Sequence, residues 1–167
     1  VSIGVYYGIA GASSANSALK ANERLIANAC LRLLADESAP YFLFTDANVT
    51  PSKSDTITTL TRNDSVVDVF ADRCHHIDGP TPTYQQHGVK TETIPHNTAH
   101  TSRIDLLLAN QAANASIHKA TYRGDIAVQN ALDHIPLDTY LYDTKFDYTY
   151  NTTVPAKPIS FEHVKRI

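Results

Sequence analysis

The chain has 167 residues, 43% of them hydrophobic and 19% charged, which suits one domain with a real core and leaves little room for two. Its net charge of −3 excludes a chain-wide positive field that would draw in nucleic acid, so a polynucleotide partner needs a metal ion or further basic surface to offset phosphate repulsion. No apolar run is long enough to span a bilayer and no basic n-region marks a signal peptide, so the expectation is an intracellular protein, nuclear or cytoplasmic, with no membrane partner.

Val1, Ile3, Val5 and Tyr7 alternate with Ser2, Gly4 and Tyr6, the period-two pattern of a strand. The chain thus opens inside a strand and contains no methionine, from which we expect a fragment of something longer. Ser13, Ser14 and Asn16 offer caps for a helix over about 15–35, where Leu19, Ile26, Ala29, Cys30, Leu33 and Leu34 recur at helical spacing. Tyr41-Phe42-Leu43-Phe44 reads as a buried central strand. A polar stretch rich in Thr, Ser and Asp follows through Asn63, then Val66–Phe70 as a strand or short helix. Residues 75–101 read as a long loop region, and strands are expected at 103–109, 116–122 and 135–142. After Asp143 the tail, with Pro155 and Pro158, reads as a linker, giving a domain over 1–143 and a tail over 144–167. The alternation of strands and helices predicts a layered α/β domain.

The two cysteines, Cys30 and Cys74, are too few for a disulfide framework and suit a reducing compartment. Asn48, Asn63, Asn114 and Asn151 open Asn-x-Ser/Thr triplets, which without a secretory signal are read as unglycosylated. Cys74, His75, His76, His87, His96 and His100 invite a zinc reading, but their spacing fits no standard ligand pattern.

Three acidic segments sit where strands end or begin: Asp46-Ala47-Asn48, Ser102-Arg103-Ile104-Asp105 and Asp133-His134-Ile135-Pro136. Phosphodiester hydrolysis needs a base to activate water, a carboxylate to orient that base, and cations or donors for the charge on the phosphoryl oxygens. His134 suits the base, Asp105 its orienting carboxylate, Asp133 a Mg²⁺ ligand, Asp46 the positioning of water, and Asn48 a donor to a phosphoryl oxygen. Arg103 is a candidate substrate contact. Taken singly, Asp46 and Asn48 are equally turn residues, Asp133-His134 a surface pair, Arg103 a solvated charge and Tyr7 a packing residue.

Asp46-x-Asn48 after an apolar strand resembles the G-D-x-N motif of the endonuclease/exonuclease/phosphatase superfamily. Ser102–Asp105 resembles its S-R-I-D motif, Asp133-His134-x-Pro136 its S-D-H-x-P motif, and Thr83-Tyr84 the threonine-aromatic pair before S-R-I-D. Val5-Tyr6-Tyr7-Gly8 resembles the strand that delivers the family's active-site tyrosine, placed here at Tyr7. The motifs come in the family's order and cover about residues 1–141. The resemblance implies an α/β (α+β) fold, the four-layered αββα sandwich of the DNase I-like type with its N-terminal half missing. It also implies Mg²⁺- or Mn²⁺-dependent phosphodiester cleavage. In that reading His134 pairs with Asp105, Asp46 and Asn48 line the scissile phosphate, Asp133 lies by the metal, and Tyr7 lies near the leaving or bridging oxygen.

The implied partner is DNA. The wording of residues 103–110 is most similar to endonuclease modules fused to a downstream reverse transcriptase in retroelements. Nothing in the sequence speaks to oligomeric state. Thr45 stands where the family has glycine, Leu132 where it has serine, and the family's early asparagine and metal-binding glutamate are absent. Two alternatives follow. One is a phosphatase or phospholipid phosphodiesterase of the same superfamily; the other is an inactive remnant serving as a binding module.

Overall fold

The computed structural model describes residues 1–12, 16–35, 38–73, 75, 76, 79, 80, 82–86, 88 and 101–142. The caps proposed at Ser13 and Ser14, the histidines at 87, 96 and 100, Cys74 and the tail over 144–167 lie outside them.

Strand β1 (Ser2–Tyr7) leads into helix α1 (Asn16–Leu34) and strand β2 (Tyr41–Asp46). A 3₁₀ turn at Pro51–Lys53 precedes α2 (Asp55–Arg62), β3 (Val67–Asp68) and α3 (Val69–Arg73). Short strands β4 (His75–His76), β5 (Gly79–Pro80), β6 (Tyr84–Gln85) and β7 (Thr101–Ser102) come before β8 (Asp105–Ala109). The chain continues through α4 (Gln111–Asn114), β9 (Ile117–Tyr122), α5 (Gly124–Gln129) and β10 (Leu137–Leu141).

A four-stranded sheet runs in the order β1-β2-β8-β3, with β1 parallel to β2 and β8 antiparallel to both β2 and β3. Successive side chains on a strand point to opposite faces, so this sheet has two distinct apolar surfaces. One carries Leu43, Leu106 and Leu108, which pack with Ile26, Cys30 and Leu33 of α1 and Ile57 of α2. The other carries Phe42, Leu107 and Ala109, which pack against Phe70 of α3 and Ile117 of β9. Strands β9 and β10 form an antiparallel pair that covers the second surface over β8.

That cover stops short of β1. Val1, Ile3, Val5 and Tyr7 share one face of this edge strand and are between 63% and 82% exposed. Their opposite neighbour Tyr6 packs into the α1 core instead. The sequence pattern of β1 is therefore that of a strand with two apolar environments, of which only one is filled among the described residues.

Several elements depart from the sequence expectations: residues 75–101, read as a loop region, carry the short strands β4 to β7 among the described residues, and α4 was not expected. The polar stretch before Asn63 contains α2, whose start is fixed by Ser54 accepting from the Ile57 N–H at 3.2 Å. Its Thr-rich composition hides it, because β-branched threonine is a weak helix former. Val66–Phe70 holds both readings at once, β3 and then the start of α3. Helix α5 lies between the last two expected strands, with Ala127 fully buried against Ile135. No described helix is long and apolar enough to cross a membrane.

Candidate active site

The register of the sheet places three residues in one row. Tyr7 pairs with Asp46 across β1 and β2, and Asp46 pairs with Asp105 across β2 and β8. Directly opposite residues in a sheet project to the same face, so the end of one strand and the beginning of another bring these side chains together. His134 is added from the loop that enters β10. It bridges Tyr84, and the next residue donates its N–H to the Thr83 carbonyl at 2.7 Å. The resulting cleft, about 410 Å³, is lined by Tyr7, Asp46, Asp105 and His134 on its polar side and by Val5, Phe44 and Leu137 on its apolar side.

Thr83 joins the segments that carry Asp105 and His134. Fully buried, its Oγ1 accepts from the N–H groups of Ile104 at 3.1 Å and Asp105 at 2.9 Å. Its backbone bonds to Ser102 and Ile135 hold the two loops side by side. The ring of Tyr84 meets that of His134 edge-on, with centroids 5.1 Å apart.

Within the cleft, His134 Nδ1 is 2.9 Å from Oδ2 and 3.1 Å from Oδ1 of Asp105. A carboxylate accepts, so in the neutral ring the proton sits on Nδ1 and Nε2 carries the lone pair. Burial of the ring disfavours the imidazolium, but the bond and charge of Asp105 outweigh it, with Asp46 and Asp133 adding to the effect, and the His134 pKa is raised. Burial also pushes the Asp105 carboxyl above its ordinary value, offset in part by His134 and Thr83, while the charge of Asp46 adds to the rise. The pair therefore holds a proton to higher pH than its separate groups would.

Asp46, Asp105 and His134 each present one ligand atom, all within 4.8 Å of one another. Two carboxylate oxygens and an imidazole nitrogen are donors that divalent cations accept, so the set fits such an ion.

Asn48 stands at the edge of this group, with a backbone φ of 50°. Its N–H donates to Asp46 Oδ1 at 3.0 Å and its side-chain amide donates to the Gly8 carbonyl at 3.0 Å. Two other expected site residues lie outside this group. Asp133 offers no ligand atom to the three-residue group, although its charge reaches His134. Arg103 does not face the cleft: it is 8% exposed and forms an ion pair with buried Asp68, which also accepts from the Ala71 N–H at the start of α3.

Sequence reasoning gave no role to Asp68 or to Asn22. A signal for Asn22 existed: it falls in the same helical stripe as Leu19, Ile26, Ala29 and Leu33, where an amide is out of place unless it is bonded. Asp68, in an apolar run, left a similar trace.

No protein-family model matches the chain, and no curated protein matches it. Among solved structures, it is similar to a 3'-5' exonuclease (NExo) from Neisseria Meningitidis, at 14% identity and a TM-score of 0.59 over 83% of this chain and 60% of that one. It is similar to an AP endonuclease from Archaeoglobus fulgidus, at 16% identity and a TM-score of 0.53 over 83% of this chain and 61% of that one. A functionally unknown conserved protein from Enterococcus faecalis V583 shares 20% identity and a TM-score of 0.52 over 83% of this chain and 49% of that one. The chain thus spans between about half and three fifths of the length of these structures. The likeness shows the fold: mixed α/β, of the DNase I-like type that the motifs implied, over part of its length.

Proposed function

We propose that this chain carries the base-bearing part of a divalent-metal-dependent phosphodiester hydrolase, an endonuclease acting on DNA. The observation that carries the reading is the bond from His134 to Asp105 in a cleft shared with Asp46. The bond holds the ring with Nε2 as the available acceptor, which is what a general base for water requires.

In this reading Nε2 of His134 takes a proton from water as that water attacks phosphorus, and Asp105 stabilises the imidazolium that forms. Asp46 holds the water in line, and the Asn48 amide, oriented by Gly8, donates to a phosphoryl oxygen. Tyr7, beside Asp46 in the register, lies toward the leaving or bridging oxygen. The cation, Mg²⁺ or Mn²⁺, would be held by carboxylate oxygens of Asp46 and Asp105, which leaves His134 Nε2 free to take the proton; Asp133, the metal ligand expected from the sequence, lies outside that group. When bound, it supplies positive charge against that developing on the phosphoryl oxygens. The narrower proposal, an endonuclease module fused to a reverse transcriptase, is supported by the wording of residues 103–110 alone.

The test is nicking of supercoiled plasmid by the chain with Mg²⁺ or Mn²⁺, with and without EDTA, beside hydrolysis of a phosphomonoester and of a phospholipid. Metal-dependent nicking that His134→Ala removes supports the endonuclease. Turnover of the monoester or lipid alone moves the chain to the phosphatase or phospholipase reading, and no turnover of any substrate leaves a binding module.

A further inference from the structure

We propose that Asn22 of α1 is a positioning residue for this centre: its buried amide, bonded to Tyr6, Ile9 and Ala47, sets the loop from which Asp46 reaches the cleft and Asn48 orients it. The proposal rests on the hydrolase reading above for its catalytic consequence, but its structural content is independent of it.

Asn22 has no exposed surface. Its Oδ1 accepts from the Tyr6 hydroxyl at 2.6 Å and from the Ile9 N–H at 2.9 Å, while its Nδ2 donates to the Ala47 carbonyl at 2.8 Å. One side chain on the first helix therefore ties together the ends of two parallel strands. Those ends are already pressed close. A methyl group on Gly8 would lie 2.3 Å from the Ala47 carbonyl oxygen, so glycine is required there.

The held peptide is the one that matters for the site. Ala47 lies between Asp46 and Asn48, and its carbonyl belongs to the peptide unit that enters Asn48. Asn48 adopts the left-handed φ of 50°, a conformation that needs support from its surroundings. With that peptide fixed, the Asn48 N–H meets Asp46 Oδ1 and orients its carboxylate, and the Asn48 side chain reaches Gly8. Gly8 in turn donates to the Asp46 carbonyl at 2.7 Å, closing the loop on itself. The direction of the Asp46 carboxylate in the cleft thus depends, through the Asn48 N–H, on one amide on the far side of the sheet.

A purely structural staple would fit the same contacts, so the experiment separates the two. Asn22→Leu removes all three bonds at similar volume; Asn22→Ala leaves space for water and serves if the leucine variant does not fold. In the full chain with Mg²⁺ and plasmid DNA, the positioning role predicts kcat lower by about 10- to 100-fold with KM changed by less than about threefold, as small misplacement of reacting groups produces. Amide hydrogen exchange at Asn48 should be faster by about tenfold or more, while the β8 amides exchange as in the parent. Unchanged exchange at Asn48, or unchanged kcat with faster exchange there, overturns the proposal. A loss of kcat matched by faster exchange throughout the sheet also overturns it, since that is a staple and nothing more. If the parent chain cleaves nothing, the hydrolase reading fails instead, and exchange at Asn48 alone decides whether Asn22 sets the loop.

Discussion

Both oxygens of the Asp105 carboxylate lie within 3.1 Å of a single nitrogen, Nδ1 of His134, although the two residues are 29 positions apart. Asp105 is fixed by the register of β8 with β2, and His134 by a loop pinned to Thr83. The contact is therefore set by the sheet and not by chance proximity of two surface groups.

This contact predicts a pH behaviour. The His134 pKa is raised above 6.5 in the folded chain, so its contribution to stability is full below that value and is lost as pH rises through the folded pKa. Asp105→Asn removes the main cause of the rise and should bring the His134 titration, followed by NMR of the metal-free chain, to lower pH. The acid limb of the cleavage profile should move the same way, because the base must be neutral to act. A titration unmoved by Asp105→Asn would mean that the bond does not govern the ring.

Arg103 and Asp68 predict a stability effect in place of a binding effect. Removing one partner leaves a buried charge uncompensated, so Arg103→Ala should destabilise the fold by about 3–5 kcal/mol in urea unfolding. Replacing both residues with apolar side chains of similar volume should recover much of that loss. A folded, fully stable Arg103→Ala chain with raised KM would restore the substrate contact expected from the sequence.

The face of β1 that the described residues leave open predicts surface behaviour. Val5 is 82% exposed beside Ile3 and Tyr7, a patch that favours association. Val5→Lys should leave the unfolding midpoint within about 0.5 kcal/mol of the parent, as exposed positions usually do, and lower binding of a hydrophobic dye. A large loss of stability would show that Val5 is covered in solution.

Much of this arrangement was legible in the residues. The stripe of α1 reported the first helix because one-sided burial leaves a period in the sequence, and the alternation over Val1–Tyr7 reported β1 although its apolar face is exposed among the described residues. The Asp105 and His134 segments were visible as short motifs whose resemblance implied their pairing; what the residues did not show is the register and the Thr83 joint that set the contact. Arg103 misled because a charge in a motif looks the same whether it faces solvent or a buried aspartate thirty-five positions away. Helix α2 was hidden because threonines in a helix are exceptions that tertiary contacts permit, whereas Asn22 left a trace as an amide amid an apolar stripe.

The most direct test of the account is a double-substitution cycle on plasmid cleavage with His134→Ala, Asp105→Asn and the two combined. Residues that act as one unit are far from additive, so the combined variant should cleave about as slowly as His134→Ala alone, which itself should lose about 10²- to 10⁴-fold. Losses that multiply across the cycle would show that Asp105 and His134 act separately, and a His134→Ala chain as active as the parent would contradict the base assignment outright.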